Sequence, residues 1–159
     1  MNEYSSPTEA LQATFDHEIP ITREIGITVA YYNGEQLALT APIERNINHK
    51  ATVFAGSLNS VVTLAGWGMI WLLLKELDIT ATIVIQDSAS HYRRPVTRDF
   101  TAICSRPGAA QVEQFVHMLR EKGRARLELS ATISERDMLV MSFQGRYVAL
   151  LNEQGNSEG

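Results

Sequence analysis

The run Val61-Val62-Thr63-Leu64-Ala65-Gly66-Trp67-Gly68-Met69-Ile70-Trp71-Leu72-Leu73-Leu74 decides the fold. It ends a longer stretch, residues 51–74, that contains no Asp, Glu, Lys, Arg or His. A helix apolar on every side has to be surrounded by something apolar, either lipid or the rest of its own protein. A membrane span needs about 20 consecutive apolar residues. Here the continuous apolar part covers residues 61–74, after a polar entry with Ser57, Asn59 and Ser60. Gly66 and Gly68 each lower helix propensity by about 1 kcal/mol, and the simplest compensation is close approach of another backbone. The expected answer is a central helix wrapped by the protein's own sheet, with no membrane.

Working outward, Ser6-Pro7-Thr8-Glu9 reads as a helix start, with Pro in the first turn and an acidic residue at the positive end. That helix continues to Pro20. Ile25, Ile27, Val29 and Tyr31 then alternate, Asn33-Gly34 supplies a hairpin turn, and Leu37, Leu39 and Ala41 alternate back. A polar loop over residues 44–50 leads into the central helix, which should end near Leu77-Asp78. Residues 80–92 read as a long strand closed by Pro95, and residues 98–105 as another, broken by Arg106-Pro107-Gly108.

Val112, Phe115, Val116 and Leu119 fall at the spacing of an amphipathic helix that Gly123 stops. Ala125, Leu127, Leu129, Ala131 and Ile133 alternate strictly with polar residues, the pattern of a half-buried strand. Glu135-Arg136-Asp137 turns it into a last strand over residues 138–150, where Gly145 suggests a bulge. Strands joined by short turns imply an antiparallel sheet. The expected class is therefore α+β: six antiparallel strands curled around one apolar helix, with an N-terminal helix and an extra amphipathic helix. The domain should span residues 1–151, followed by a frayed polar tail over 152–159.

A chain of 159 residues suits one domain. Its net charge of -4 argues against nucleic acid and anionic membrane surfaces as partners. The single cysteine, Cys104, cannot form an internal disulfide and sits in an alternating apolar run, which fits a buried thiol in a reducing, cytoplasmic setting. The first seven residues lack the features of a secretory signal. The four histidines, His17, His49, His91 and His117, are scattered without metal-ligand spacing, so no metal is expected. No phosphate-binding glycine loop or Gly-x-Ser-x-Gly elbow occurs, and no cofactor is expected.

Two stretches carry a family resemblance: Asn48-His49-Lys50-Ala51-Thr52-Val53-Phe54-Ala55-Gly56-Ser57 and Tyr92-Arg93-Arg94-Pro95-Val96. They resemble the hotdog-fold thioesterases, in which an Asn precedes a Gly-Thr-(aliphatic)-His-Gly-Gly run that opens the central helix, and an aromatic-x-x-Pro-Val ends a later strand. The Gly-Trp-Gly helix and the extra helix at 112–119 are similar to one branch, the thioesterase-like domain of the YiiD C-terminal type. The resemblance covers nearly the whole chain. It implies a hotdog fold, acyl-CoA or acyl-carrier-protein as substrate, and a homodimer or dimer of dimers with sites between subunits.

The resemblance also implies roles for individual residues. Backbone N–H groups at the helix start, here Ala55 and Gly56, would bind the thioester oxygen, because helix-start amides point outward and carry partial positive charge. Small residues there also suit a tight chain entry. Asn48 stands where it would orient water or substrate, or else where it forms a turn. The family His-Gly-Gly is Phe54-Ala55-Gly56, so an aromatic replaces the histidine. The acidic residue expected two turns into the helix falls on Thr63, and a polar position of the next strand falls on Ile85. Thr63 can position water but cannot act as a base near neutral pH.

Two other side chains are candidate bases: His49, of the residue type that most often moves protons in catalysis, and Asp87, read as facing the same side as Ile83 and Ile85. The alternatives are a solvated loop histidine and a hydrogen-bonded structural aspartate. Ser57 and Asn59 in the first helical turn would touch the thioester, and Trp67 with Trp71 would line an acyl tunnel or pack in the core. Arg93 and Arg94 suit the phosphates of coenzyme A or a phosphopantetheine arm, or a solvated strand end. The expected activity is acyl thioester hydrolysis. The rivals are a non-catalytic acyl-thioester-binding module and a hotdog hydratase or dehydratase, which needs a histidine with an acidic partner.

Overall fold

The apolar run folds as the C-terminal two thirds of α3 (Ala55–Glu76), and the other elements are arranged around it. The computed structural model describes residues 6–153. In chain order the remaining elements are α1 (Pro7–Glu18), α2 (Ile21–Ile25), β1 (Thr28–Tyr32), β2 (Gln36–Ala41), a 3-10 turn (Ile43–Arg45), β3 (Ala81–Tyr92), β4 (Phe100–Ser105), α4 (Ala109–Lys122), β5 (Arg124–Glu135) and β6 (Met138–Leu151). The six strands form one antiparallel sheet in the order β1-β2-β4-β5-β6-β3. This is the expected hotdog arrangement.

Helix α3 is long and apolar enough to cross a membrane by length and composition, yet 67% of its most apolar window is buried inside the protein. Its two glycines are explained by side chains rather than by the backbone approach expected. A Cβ on Gly66 would overlap the Tyr147 hydroxyl, and one on Gly68 would lie 2.9 Å from a Leu37 methyl and 3.2 Å from a Leu11 methyl. The Tyr147 hydroxyl donates to the Thr63 carbonyl at 2.6 Å, which pins β6 to the helix. Burial pushes the Tyr147 phenol far above its ordinary pKa and the Cys104 thiol up to about 12.

Helix α1 starts as read, with the Ser6 hydroxyl accepting from the Glu9 N–H at 3.2 Å. Its Leu11 and Phe15 are fully buried, and the Phe15 ring meets Trp67 at 6.0 Å between centroids. Helix α4 buries Phe115 and Leu119 and stops at Gly123, whose φ of 75° is the left-handed conformation glycine favours. Strand β5 alternates buried and exposed residues along nearly its whole length.

Several expectations need correction. The alternating residues 25–31 are not one strand. Ile25 ends α2, Gly26 turns the chain with φ 79°, and β1 begins at Thr28. The buried Ile25 and Ile27 serve the core from a helix end and a loop, so their spacing mimics a strand. Gly145 makes no bulge either, since it pairs regularly with Leu129 and Ser88. The Phe143 and Tyr147 rings close over it, and a Cβ there would meet both at 2.8 Å. The tail is held at its first residue: the Asn152 N–H donates to the Thr80 carbonyl at 3.3 Å, and its side chain accepts from Thr82. Residues 154–159 lie outside those described, as do residues 1–5.

Strand β3 is a sheet edge, paired on one side with β6. Beyond Ile83 every residue of β3 except the half-buried Ser90 is exposed, Val84 at 44% and Ile85 at 38% among them.

Candidate active site at the start of the central helix

The first turn of α3 carries no side-chain cap. The Ser57 and Leu58 N–H groups donate to the Phe54 carbonyl at 3.0 and 3.2 Å. The N–H groups of Ala55 and Gly56 meet no acceptor among the described residues. Two helix-start donors are thus left for a ligand, at the positive end of a helix about 33 Å long. The Phe54 ring lies over Gly56, so closely that a Cβ on Gly56 would overlap its edge, with Cζ at 2.8 Å. Phe54 is 57% exposed and forms an apolar flank beside the two free amides.

The two stretches that carried the resemblance touch at this point. The Val53 N–H donates to the Val96 carbonyl at 2.9 Å, and the Phe54 N–H donates to the Asn46 carbonyl at 2.7 Å. Asn46 is buried, and its amide nitrogen donates to Ile25 O at 2.9 Å and Pro42 O at 2.7 Å, so it clips the loop to the body. Sequence reasoning missed Asn46, because a single Asn in a polar loop carries no distinguishing signal.

Asn48 turns its side chain into its own loop. Its Oδ1 accepts from the Lys50 and Thr52 N–H groups at 2.9 and 3.1 Å, and its Nδ2 donates to Thr52 Oγ1 at 2.8 Å. Asn48 therefore shapes a tight turn, completed by Ala51 at φ 60°. The exposed His49 sits on that turn.

Along α3, Ala55, Asn59, Thr63, Trp67 and Trp71 recur every four residues and form one half-buried stripe beside β3, apart from the exposed Ala55. Thr63 donates its hydroxyl proton to the Asn59 carbonyl at 2.7 Å, which leaves its lone pairs free. The Asn59 Oδ1 accepts from the Ser90 hydroxyl at 2.7 Å. Trp67 packs on Phe15 and donates its indole N–H to the Ile83 carbonyl at 3.1 Å, so it belongs to the wall between helix and strand. Trp71 lies further away, under Lys75 and beside a cleft of about 200 Å³ at the opposite end of α3. Ser57 is 9% exposed in the first turn of the helix.

The reading of Asp87 is corrected. A bulge between Ile85 and Asp87 changes the parity of β3. Ile83 and Ile85 pair with the inward-facing Ala149 and Tyr147, whereas Asp87 pairs with Arg146 on the outer face. There its carboxylate takes a bidentate ion pair with Arg146, Nη2 to Oδ2 at 2.5 Å, which raises the Arg146 pKa. Asp87 is not placed with the helix start. The same bulge turns Ser88 and Ser90 inward, towards α3. Arg93 and Arg94 follow the end of β3, anchored through their N–H groups to the Val140 carbonyl at 2.8 and 3.3 Å. Both side chains are exposed and make no ion pair among the described residues.

The structure therefore brings Ala55, Gly56, Phe54, Asn59 and Thr63 to one helix end, with the His49 turn leading into it. It sends Asp87 elsewhere. No cluster of metal-ligating side chains occurs among the described residues. Among those residues no histidine bonds or pairs with a carboxylate.

A family model described as "Putative thioesterase (yiiD_Cterm)" matches residues 8–151. The chain belongs to that family. A protein of unknown function from Chlorobaculum tepidum is 32% identical over 91% of this chain and 94% of its own, with a TM-score of 0.88. A "putative thioesterase" from Shewanella oneidensis is 28% identical over 91% of this chain and 97% of its own, with a TM-score of 0.82. A "probable thioesterase" from Pseudomonas aeruginosa shares the fold at 19% identity and a TM-score of 0.77, covering 92% of this chain and 97% of its own. This thioesterase-family chain therefore has the fold of its relatives, while the helix start it presents carries no acidic side chain from Ala55 to Leu74.

Proposed function

We propose that the protein is a cytoplasmic acyl thioester hydrolase acting on acyl-CoA or acyl-carrier-protein. The observation that carries this reading is the pair of unpartnered N–H groups at Ala55 and Gly56, on an uncapped helix start in a thioesterase family member. These donors hold the thioester oxygen as it gains negative charge. Water attacks the acyl carbon, His49 takes its proton, the C–S bond breaks, and the thiolate leaves to be protonated. The products are a carboxylate and a free thiol. His49 is held for this by the turn that Asn48 builds. Thr63 accepts from the attacking water, Phe54 and Trp67 flank the acyl chain, and Ser57 borders the bound thioester. Arg93 and Arg94 meet the phosphates of the carrier.

The working unit in this reading is a homodimer, alone or paired as a dimer of dimers. The long unpaired edge of β3 supports it: an edge strand of this length that leaves Val84 and Ile85 exposed is a template for another strand, and in this reading a second copy occupies it. The test is thiol release from a panel of acyl-CoA and acyl-carrier-protein substrates. His49→Ala should lower kcat by about 10²-fold, the usual size of a lost general base. Asn48→Ala should lower it by loosening the turn. The absence of a carboxylate at Thr63, with Asp87 facing away, favours one second reading, a non-catalytic acyl-thioester-binding module. Binding without thiol release across the whole panel would select that reading over hydrolysis.

A further inference from the structure

We infer that Asn59 supplies a third donor to the thioester oxygen through its side-chain amide, and that Ser90 is the positioning residue that aims it. This rests on the thioester-binding reading of the helix start. Asn59 stands four residues after Ala55, on the same face of α3. Side chains on a helix lean towards its N-terminus, so the Asn59 amide lies over the turn that carries the free Ala55 and Gly56 N–H groups.

The amide is held in one orientation. The Ser90 hydroxyl donates to Asn59 Oδ1 at 2.7 Å, which turns the NH₂ group away from β3. That Nδ2 has no acceptor among the described residues, although Asn59 is half-buried. Since no buried side-chain nitrogen or oxygen among the described residues lacks a partner, this donor is open to solvent and accessible to a ligand oxygen. In this assignment the helix-start amides and the Asn59 NH₂ share one oxygen, the arrangement that stabilises a developing oxyanion. Ser90 reaches this place because of the bulge between Ile85 and Asp87. With regular pairing its hydroxyl would face outward and Asn59 would be free to rotate.

The test separates recognition of the oxygen from turnover. Two non-hydrolysable analogues are titrated calorimetrically into the purified protein: a 2-oxoalkyl-CoA ketone, which keeps a carbonyl oxygen, and the matching alkyl-CoA thioether, which has none. Asn59→Ala and Ser90→Ala should each weaken the ketone about tenfold and leave the thioether within twofold, while Ser90→Thr, which keeps the hydroxyl, should bind the ketone like the wild type. Unchanged ketone affinity in Ser90→Ala would overturn the assignment, as would equal weakening of both analogues. Failure of the wild type to bind either analogue would overturn both the assignment and the thioester-binding reading. If the ketone pattern appears but acyl-CoA yields no thiol, the assignment stands and the hydrolase reading falls.

Discussion

Gly66 has no room for a methyl group, because the Tyr147 ring lies where it would go, with ring carbons 2.7 and 2.8 Å away. Tyr147 is fully buried and bonded to Thr63, so it cannot swing aside. Gly66→Ala should gain about 1 kcal/mol in helix propensity. It should lose more through overpacking and the displaced hydroxyl, for a net destabilisation of about 2 kcal/mol. Chemical denaturation compared with wild type checks this. Gly56→Ala meets an exposed ring instead, so its fold should survive with a normal melting temperature while thiol release drops. Tyr32 makes a pH prediction. Burial first, and then its bond to Glu76, raise its pKa from about 10 to about 12. The native state favours the protonated phenol, so this stabilisation is complete below pH 10 and is lost as pH rises towards 12. Tyr32→Phe should flatten the fall in melting temperature between those two values. At this scale the sequence was informative about which residues are small and not about why. It flagged Gly66 and Gly68 as needing a close neighbour, but Tyr147 lies 81 positions further along the chain than Gly66.

Elements with a clean period were legible. Strand β5 alternates and α4 repeats every three to four residues because each buries one face against the same core, and burial imposes that period. Strand β3 shows where such reading stops. Counting alternate residues from Ile83 puts Asp87 inside, and the bulge puts it outside with Arg146. A bulge leaves no reliable mark on a single sequence because it arises from the fit between two strands. The consequence is testable: Asp87→Ala should leave thiol release unchanged and the melting temperature close to wild type, since both partners of this pair are about half exposed. A large loss of activity would put Asp87 back among the candidate bases. The residues 25–31 misled in the opposite direction, since a helix end followed by a glycine turn buries Ile25 and Ile27 at strand-like spacing.

For the whole molecule, the open edge of β3 is the surface that the proposed dimer uses. Ile85→Lys places a charge on the open edge and should convert the proposed dimer to monomer, read by sedimentation, with thiol release lost in parallel. A variant that stays dimeric would move the interface elsewhere. By itself the sequence determined that a helix without charges must be enclosed, that strands must enclose it, and that the helix start resembles a thioester site. Apolar burial and backbone periodicity act locally and leave their pattern in consecutive residues. Only the tertiary structure decided which donors at that helix start are unpartnered, that Asn48 is occupied within its own loop, and that Ser90 rather than Asp87 faces Asn59. Those outcomes depend on strand register and on contacts between distant segments, which no run of neighbouring residues encodes.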